Sequence, residues 1–471
     1  MSSSNPSQTE PSETPAPVNL HRRLWLLAWP MMLSNITVPL LGLVDTAVLG
    51  HLEESKYLAG VALGTTLFTS VFWLFGFLRM GTCGMTAQAV GSQNTPRILQ
   101  LLLSSGWLAV FIGLLLVLLS PLWMPLGLSL LAGNDATSNH EIYLQATLYA
   151  QWRILGAPFV LLNYAIIGWF VGRQNTKIPL YMLVVANLIN ILLDLILVIG
   201  FGMNVEGVAL ATLSADISAT LLGGTFILYH YRDEFQKIHR WLPHLKTLKE
   251  MVFINRYIFV RTGTLLFTFA LFTAQGARIG EETLAANAVL LTFLLLISNA
   301  LDGFAHGAEA LVGEACGQKN HGKVVNVIRV CLIWSAISAL ILTLAFFLGG
   351  SLLISWLTDL SHIRALANQY LPWLAAMPLI GVWCYTYDGV FIGSTKVQAM
   401  QNIMLVSTFL IFLPLIGFSQ YLGLNQYFGF SQSEQWQNHG LWLAMSAFIA
   451  ARSLGMALCS RHYSKHRQWF S

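Results

Sequence analysis

The stretch ILQLLLSSGWLAVFIGLLLVLLS, residues 98–120, contains no charged side chain. A helix needs about 20 apolar residues to cross the hydrocarbon core of a bilayer. Only helices and closed barrels cross with their backbone N–H and C=O groups satisfied. Similar apolar segments recur, bounded by Gly, Pro, Asn or charged clusters, and they predict helices near 22–48, 57–90, 98–121, 141–171, 178–200, 206–230, 252–277, 283–314, 325–348, 364–394, 399–421 and 438–460. A barrel would show segments of about ten residues alternating in polarity, and the sequence has no such pattern. Charged residues make up 10% of the chain, against about 25% in soluble domains. The expected fold class is therefore an all-α polytopic membrane protein with twelve transmembrane helices.

The ends and loops orient it. MSSSNPSQTEPSETPAPVN (1–19) is polar and rich in Ser, Pro and Thr, a composition that stays disordered. It lacks the basic region and short apolar core of a removable signal peptide. The cysteines Cys83, Cys316, Cys331, Cys384 and Cys459 form no CxxC pair, so neither a disulfide framework nor a zinc site is expected. Lys and Arg collect in alternate loops, including Arg22, Arg97, Arg173, Lys246, Lys319, Lys396 and Arg461, whereas the other side has only Lys56, Arg278 and Arg364. The positive-inside rule then puts both termini in the cytoplasm, in a plasma or bacterial inner membrane.

The charged stretch YRDEFQKIHRWLPHLKTLKE (231–250) divides the chain nearly in half. A six-helix bundle is expected over 20–230, a linker over 231–251, a second bundle over 252–460 and a cytoplasmic tail over 461–471. The halves resemble each other: GTCGMTAQAVGSQN (81–94) aligns with GAEALVGEACGQKN (307–320), GWFVG (168–172) with GVFIG (389–393), and GVALA (207–211) with GLWLA (440–444). An even number of helices per half makes the repeat parallel, with a pseudo-twofold axis along the membrane normal. In such transporters the substrate lies between the halves and access alternates.

Ionisable groups inside spans are costly and usually functional or paired. Asp45 follows Pro30 and Pro39 in helix 1, prolines that can bend a helix. It reads either as a coupling-ion or substrate group or as an acid near the outer end, wetted or paired with a base. In helix 5, Asn187, Asn190 and Asp194 share a face at i, i+3 and i+7. Their oxygens suit a hard cation such as Na⁺, or a proton held through the amides. The bland alternative is interhelical hydrogen bonding. Thr212 of helix 6 adds a hydroxyl, and Asp216, four residues on, reads as a structural partner. The second half offers Asp302 and Glu309 on one face of helix 8, Glu314 near its end beside Lys319, and Asp388 beside Tyr385 and Tyr387, rings that can stack on flat substrates. Arg261 lies well inside helix 7, and Arg79, Arg153 and Arg452 are also within apolar segments. They can neutralise these acids, or Arg261 can receive an anion. HExxH, GxSxG and P-loop motifs are absent, so neither an enzyme nor ATP hydrolysis is indicated.

AWPMMLSNITVPLLGLVDTAVLGHL (28–52), NLINILLD (187–194) and NVEGVALAT (204–212) resemble the multidrug and toxic-compound extrusion (MATE) family. LDGFAHGAEALVGEACG (301–317) and WCYTYDGVFIG (383–393) resemble its DinF branch. The resemblance spans about residues 20–465. It implies two bundles in a V around a central cavity and export coupled to Na⁺ or H⁺. It carries coupling-ion duty onto Asp45, Asn190 and Asp194, with Thr212 nearby. It matches Asn163 to a polar position of helix 4 and Asp388 to a cation-binding acid of the NorM branch. The NorM helix-7 Glu has no acidic counterpart, since Arg261 stands in that region, so a NorM-style Na⁺ site in the second half is not expected. The expected function is antiport: inward H⁺ or Na⁺ drives efflux of amphipathic organic compounds. The substrate cavity would comprise Asn163, Asp388, Tyr385, Arg261, Asp302 and Glu309. The alternatives are export of organic anions through Arg261 and a lipid-linked flippase. No cofactor or nucleic acid is expected. Small-molecule substrates and lipids are the expected partners of a monomer.

Overall fold

The computed structural model describes residues 19–50, 55–132, 140–236, 243–421 and 434–470, and among these every regular element is helical. Twelve long helices follow in order: α1 (Leu20–Gly50), α2 (Lys56–Gly91), α3 (Thr95–Leu118), α4 (His140–Gly172), α5 (Lys177–Gly200), α6 (Asn204–His230), α7 (Leu245–Ile279), α8 (Glu281–Gly317), α9 (His321–Leu357), α10 (Ser361–Gly393), α11 (Val397–Phe418) and α12 (Gln437–Lys465). Helices α2 to α12 are each long and apolar enough to span a membrane. The 31 residues of α1 reach about 46 Å at 1.5 Å per residue. The expected tail over 1–19 lies outside the described residues apart from Asn19.

Three boundaries differ from expectation. Ser120–Ala132 is helical although Pro121 and Pro125 make it read as a loop. Pro121 falls in the first turn, where its missing N–H costs nothing, and exposed Leu122, Leu126 and Leu130 form one stripe toward lipid. The expected linker is shortened from its far side, because α7 begins at Leu245 and a short helix occupies Arg232–Gln236. At the C-terminus α12 continues to Lys465, and Trp469 is buried, its ring 6.0 Å from Phe391 of α10 and 5.4 Å from Tyr463.

The interruptions inside helices have local causes. α2 breaks at Phe75–Gly76, where glycine adds backbone freedom. α4 tightens into a 3₁₀ turn over Ile154–Gly156. Pro158 cannot donate to the Ile154 carbonyl and crowds it. α5 ends in a π-helical segment, Leu195–Gly200, and α11 contains another, Ser407–Phe412.

Packing gives two bundles. α1 lies on α5, α2 and α3 on α4, and α5 on α6; in the other half α8 and α9 lie on α10, α10 on α12, and α7 on α11. The duplication is visible atom by atom. Asn94 and Asn320, 226 positions apart, each cap the next helix by accepting a backbone N–H, from Arg97 at 3.1 Å and from Lys323 at 3.0 Å. The residues before them, Gln93 and Lys319, share a left-handed φ of 55° and 52°. Gly168 and Gly172 of α4 pack on the carbonyls of Arg79 and Cys83, and Gly389 and Gly393 of α10 pack on those of Ala305 and Glu309, the positions equivalent to Arg79 and Cys83.

The bundles meet chiefly along α1, α2 and α8. Gly91 sits on the Glu314 carbonyl, Gly317 on the equivalent Gln88 carbonyl, and Ala87 faces its own equivalent, Gly313. The pseudo-twofold axis therefore passes between Ala87 and Gly313. Direct backbone approach across it is possible because these residues have little or no side chain. This seam lies at the end of the bundle where α1 starts, here called the basic end.

Candidate functional site

In the first bundle Asn190 and Asp194 are fully buried on one face of α5. The Asn190 Nδ2 donates to the Thr212 Oγ1 at 3.2 Å, and the Thr212 hydroxyl donates to the Val208 carbonyl at 2.9 Å. The hydroxyl hydrogen is thus turned back onto α6, and the oxygen faces the α5 amide. The π-helical segment begins immediately after Asp194, and π-bulges recur at functional sites. Thr176 at the start of α5 donates to the Leu26 carbonyl of α1 at 3.3 Å. Asp194 lies 18 residues beyond Thr176 and Asp45 lies 19 beyond Leu26. At about 1.5 Å per residue, the two positions stand at about the same depth on neighbouring helices. The side chains of Asp45 and Pro39 lie outside the described residues, Pro30 is buried, and α1 runs through both prolines as one helix.

Asn163, expected in the substrate cavity, is tied to α6 instead. Its Nδ2 donates to the Asp216 carbonyl at 3.0 Å and its Oδ1 accepts from Thr220 at 3.0 Å. Beside it Arg153 bonds the Asp216 carboxylate at 2.7 Å, with its guanidinium over the Phe72 ring at 5.0 Å. Removing one member of a buried ion pair leaves the other charge uncompensated, a loss of roughly 3–5 kcal/mol, whereas removing both is far milder. Arg153→Leu is expected to destabilise by about 3 kcal/mol, the low end because Asp216 keeps some contact with solvent. Thermal unfolding of the purified protein checks this, and Arg153→Leu/Asp216→Leu should recover most of the loss.

A second constellation occupies the middle of the molecule. Arg261 of α7 and Arg452 of α12 both bond the Asp388 Oδ2 of α10, Arg452 at 3.2 Å. Arg261, Arg452 and Asp388 are all buried. Read separately, Arg261 is an anion receiver and Asp388 a cation binder; the fold pairs them. Arg79 of α2 reaches across to α8, where it bonds Glu309 at 3.2 Å and the His306 Nδ1 at 2.9 Å. A guanidinium only donates, so this Nδ1 is the acceptor and the imidazole is neutral. Asp302 lies within electrostatic reach of Arg79, Arg261, Asp388 and Glu309, and Tyr385 is near it. Three guanidiniums thus face three carboxylates at mid-depth, and Arg79 is the member contributed by the first bundle. His306 was missed from sequence alone. Its signal is the spacing in HGAE (306–309), which stacks His306 and Glu309 on one helical face.

The basic end is sealed by a further polar knot. Glu314 of α8 takes Arg23 of α1 at 2.6 Å, Gln174 at 2.6 Å and Lys323 at 2.7 Å. Its partners are therefore these rather than adjacent Lys319, which occupies the left-handed turn. Gln88 of α2 donates to the Gly393 carbonyl at 3.0 Å. Farther in, Asn35 of α1 donates to the Asn299 carbonyl of α8 at 3.2 Å. These inter-bundle contacts run from the basic end to about the middle.

Two like helical bundles of membrane-spanning length with buried charge between them are the architecture of a polytopic membrane protein of transporter type. The sequence profile of MatE matches residues 30–196 and 258–416, and the chain belongs to the MatE family. It is 39% identical over 460 residues to DNA damage-inducible protein F of Escherichia coli strain K12, covering 96% of this chain and 94% of that protein. To the multidrug export protein MepA of Staphylococcus aureus it is 20% identical over 399 residues, 83% and 86% of the two chains. A crystal structure of a multidrug resistance MATE family transporter in its outward-facing conformation superposes with a TM-score of 0.82 at 17% identity, covering 95% of this chain and 96% of that one. The chain is a multi-pass membrane transporter of the DinF type, not an enzyme.

Proposed function

We propose that this transporter is an antiporter in which inward H⁺ or Na⁺ drives efflux of amphipathic organic compounds by alternating access. The observation that carries this reading is the one-sided closure. Among the described residues, Gly91, Gly317 and Arg79 hold the bundles together over the basic half, and the buried Asn190 and Asp194 lie farther in, on a helix of the first bundle. With the basic end placed in the cytoplasm by the loop charges, this is a form closed to the cytoplasm. A coupling ion entering from outside would meet the oxygens of Asp194, Asn190 and Thr212, with Asp45 level on α1. The name of one relative, the multidrug export protein MepA, favours organic compounds as cargo.

The test is gradient-driven efflux from proteoliposomes under a pH or Na⁺ gradient. Asp194→Asn and Asp45→Asn are each expected to lose most of it, with wild-type thermal stability. Wild-type rates in both would remove the first-bundle coupling site. One observation favours a second cargo class: Arg261 and Arg452 share the single Asp388 carboxylate, so Arg261 can exchange part of that contact for an anionic group. If organic anions are exported, Arg261→Ala should lose them and spare cationic dyes.

A further inference from the structure

From Leu301 to Cys316 every residue of α8 is buried except Asp302. α8 is packed by α1, α2, α4, α7, α9 and α10, so Asp302 is the one position of this stretch that its neighbours from both bundles leave partly open. Its depth is set by the seam. Gly91 and Gly317 are equivalent points at the basic end. Arg79 lies 12 residues before Gly91 and Asp302 15 before Gly317, about 18 Å and 22 Å from that end at 1.5 Å per residue. Asp302 therefore stands just above the Arg79–Glu309 contact, on the side away from the seal.

Its neighbours are all committed. On α2, Arg79 is bonded to Glu309 and His306. On α7 and α12, Arg261 and Arg452 are bonded to Asp388 of α10, whose neighbour Tyr385 also faces Asp302. On α8 itself, His306 is one turn away and Glu309 two. Tyr164 of α4 reaches Arg79, while the described charges of α1 and α9, such as Arg23 and Lys323, lie at the basic end. Among the described residues Asp302 is the carboxylate of this cluster without an ion pair or hydrogen bond of its own.

We propose that Asp302 is a second coupling site, a carboxylate of the C-terminal bundle that takes up a proton from the open space between the bundles. The proposal rests on ion-coupled export and adds a site separate from the Asn190/Asp194 chamber. The ligand is a proton rather than a metal ion for two reasons. A hard cation needs about six oxygens, and here the other carboxylates are already bonded to guanidiniums that repel it. A proton needs one oxygen. Guanidiniums favour the ionised carboxyl, while partial burial and the nearby acids favour the neutral one, so neither form is locked. Proton uptake leaves three guanidiniums facing two carboxylates, and that extra positive charge disfavours a cationic group of cargo in the same space.

Infrared difference spectra of the full-length protein in lipid, taken between mildly alkaline and mildly acidic pH, test this through the C=O band of a protonated carboxyl. Asp302→Asn is expected to lose part of the wild-type band, and Asp302→Glu to restore it at a shifted frequency. The loss should also appear in an Asp45→Asn/Asp194→Asn background. An Asp302→Asn spectrum identical to wild type overturns the proposal, as does a wild-type spectrum without the band. Ion-coupled export is judged separately by the efflux of Asp194→Asn, so either idea can fail alone.

Discussion

Substituting Arg79 by leucine is expected to cut transport at least tenfold while leaving both bundles folded. Arg79 is the mid-depth cation that α2 sends across to α8, where Glu309 has only 2% of its side chain exposed. Without the guanidinium that carboxylate is buried and has lost its permanently charged partner, keeping only the His306 Nδ1 at 3.5 Å and the Cys83 thiol nearby. Breaking such a pair costs roughly 3–5 kcal/mol, and the loss falls on the form closed at the basic end. Once the bundles part there, water can solvate Glu309. Every 1.4 kcal/mol is tenfold in an equilibrium, so about 3 kcal/mol moves the closed population by roughly 100-fold. The protein carries its own reporter. Cys83, one turn beyond Arg79 on α2, is buried and lies near Glu309. In a background lacking the other four cysteines, alkylation of Cys83 should be slow in wild type and fast in Arg79→Leu. The double variant Arg79→Leu/Glu309→Leu removes both charges and should slow labelling again. Unchanged labelling in the single variant would mean that the contact does not hold the bundles together.

The helices and the repeat were legible in the sequence because both follow from short-range rules. Apolar length marks a span, and Gly81, Gly91, Gly307 and Gly317 mark close approach. Their matched spacing marked the repeat, and the even helix count gave the direction of its axis; the contacts then located the axis between Ala87 and Gly313. The α5 face was legible for the same reason: Asn187, Asn190 and Asp194 repeat at helical period, and the structure buries Asn190 and Asp194 and sets Asn190 against Thr212 of α6. The pairing of the arginines was not. Arg261 and Asp388 are 127 residues apart, Arg79 and Glu309 230 apart, and nothing in either local pattern names the partner. The bonds of Asn163 to α6 were hidden for a related reason. An amide in a membrane helix looks equally suited to cargo or to a neighbour's backbone, and only the position of α6 decides. Ser120–Ala132 was hidden by its prolines, although proline in the first turn is compatible with a helix.

Gly317→Val is expected to abolish transport with little change in thermal stability, which separates the seam from the charges above it. A Cβ at Gly317 would fall inside the van der Waals envelope of the Gln88 carbonyl oxygen, with the Gly91 Cα close behind. The obstacle is backbone, so no rotamer change relieves it, and α2 and α8 must separate. Overpacking an ordinary core costs about 1–3 kcal/mol. Here the protein has a cheaper escape, because its bundles can stay apart at the basic end without disturbing packing inside either one. The variant should therefore be trapped open at that end, with fast Cys83 alkylation and no net efflux. Gly91→Val, its equivalent against the Glu314 carbonyl, should behave alike, since the contact is the same one seen from the other half. Gly224→Val is the control: no atom lies within 4 Å of its Cβ position, and it should transport as wild type. Wild-type efflux from both seam variants would show that transport does not require α2 and α8 to touch. Loss in Gly317→Val but not Gly91→Val would show that the two halves do not contribute equally to closure, despite the symmetry of the contact.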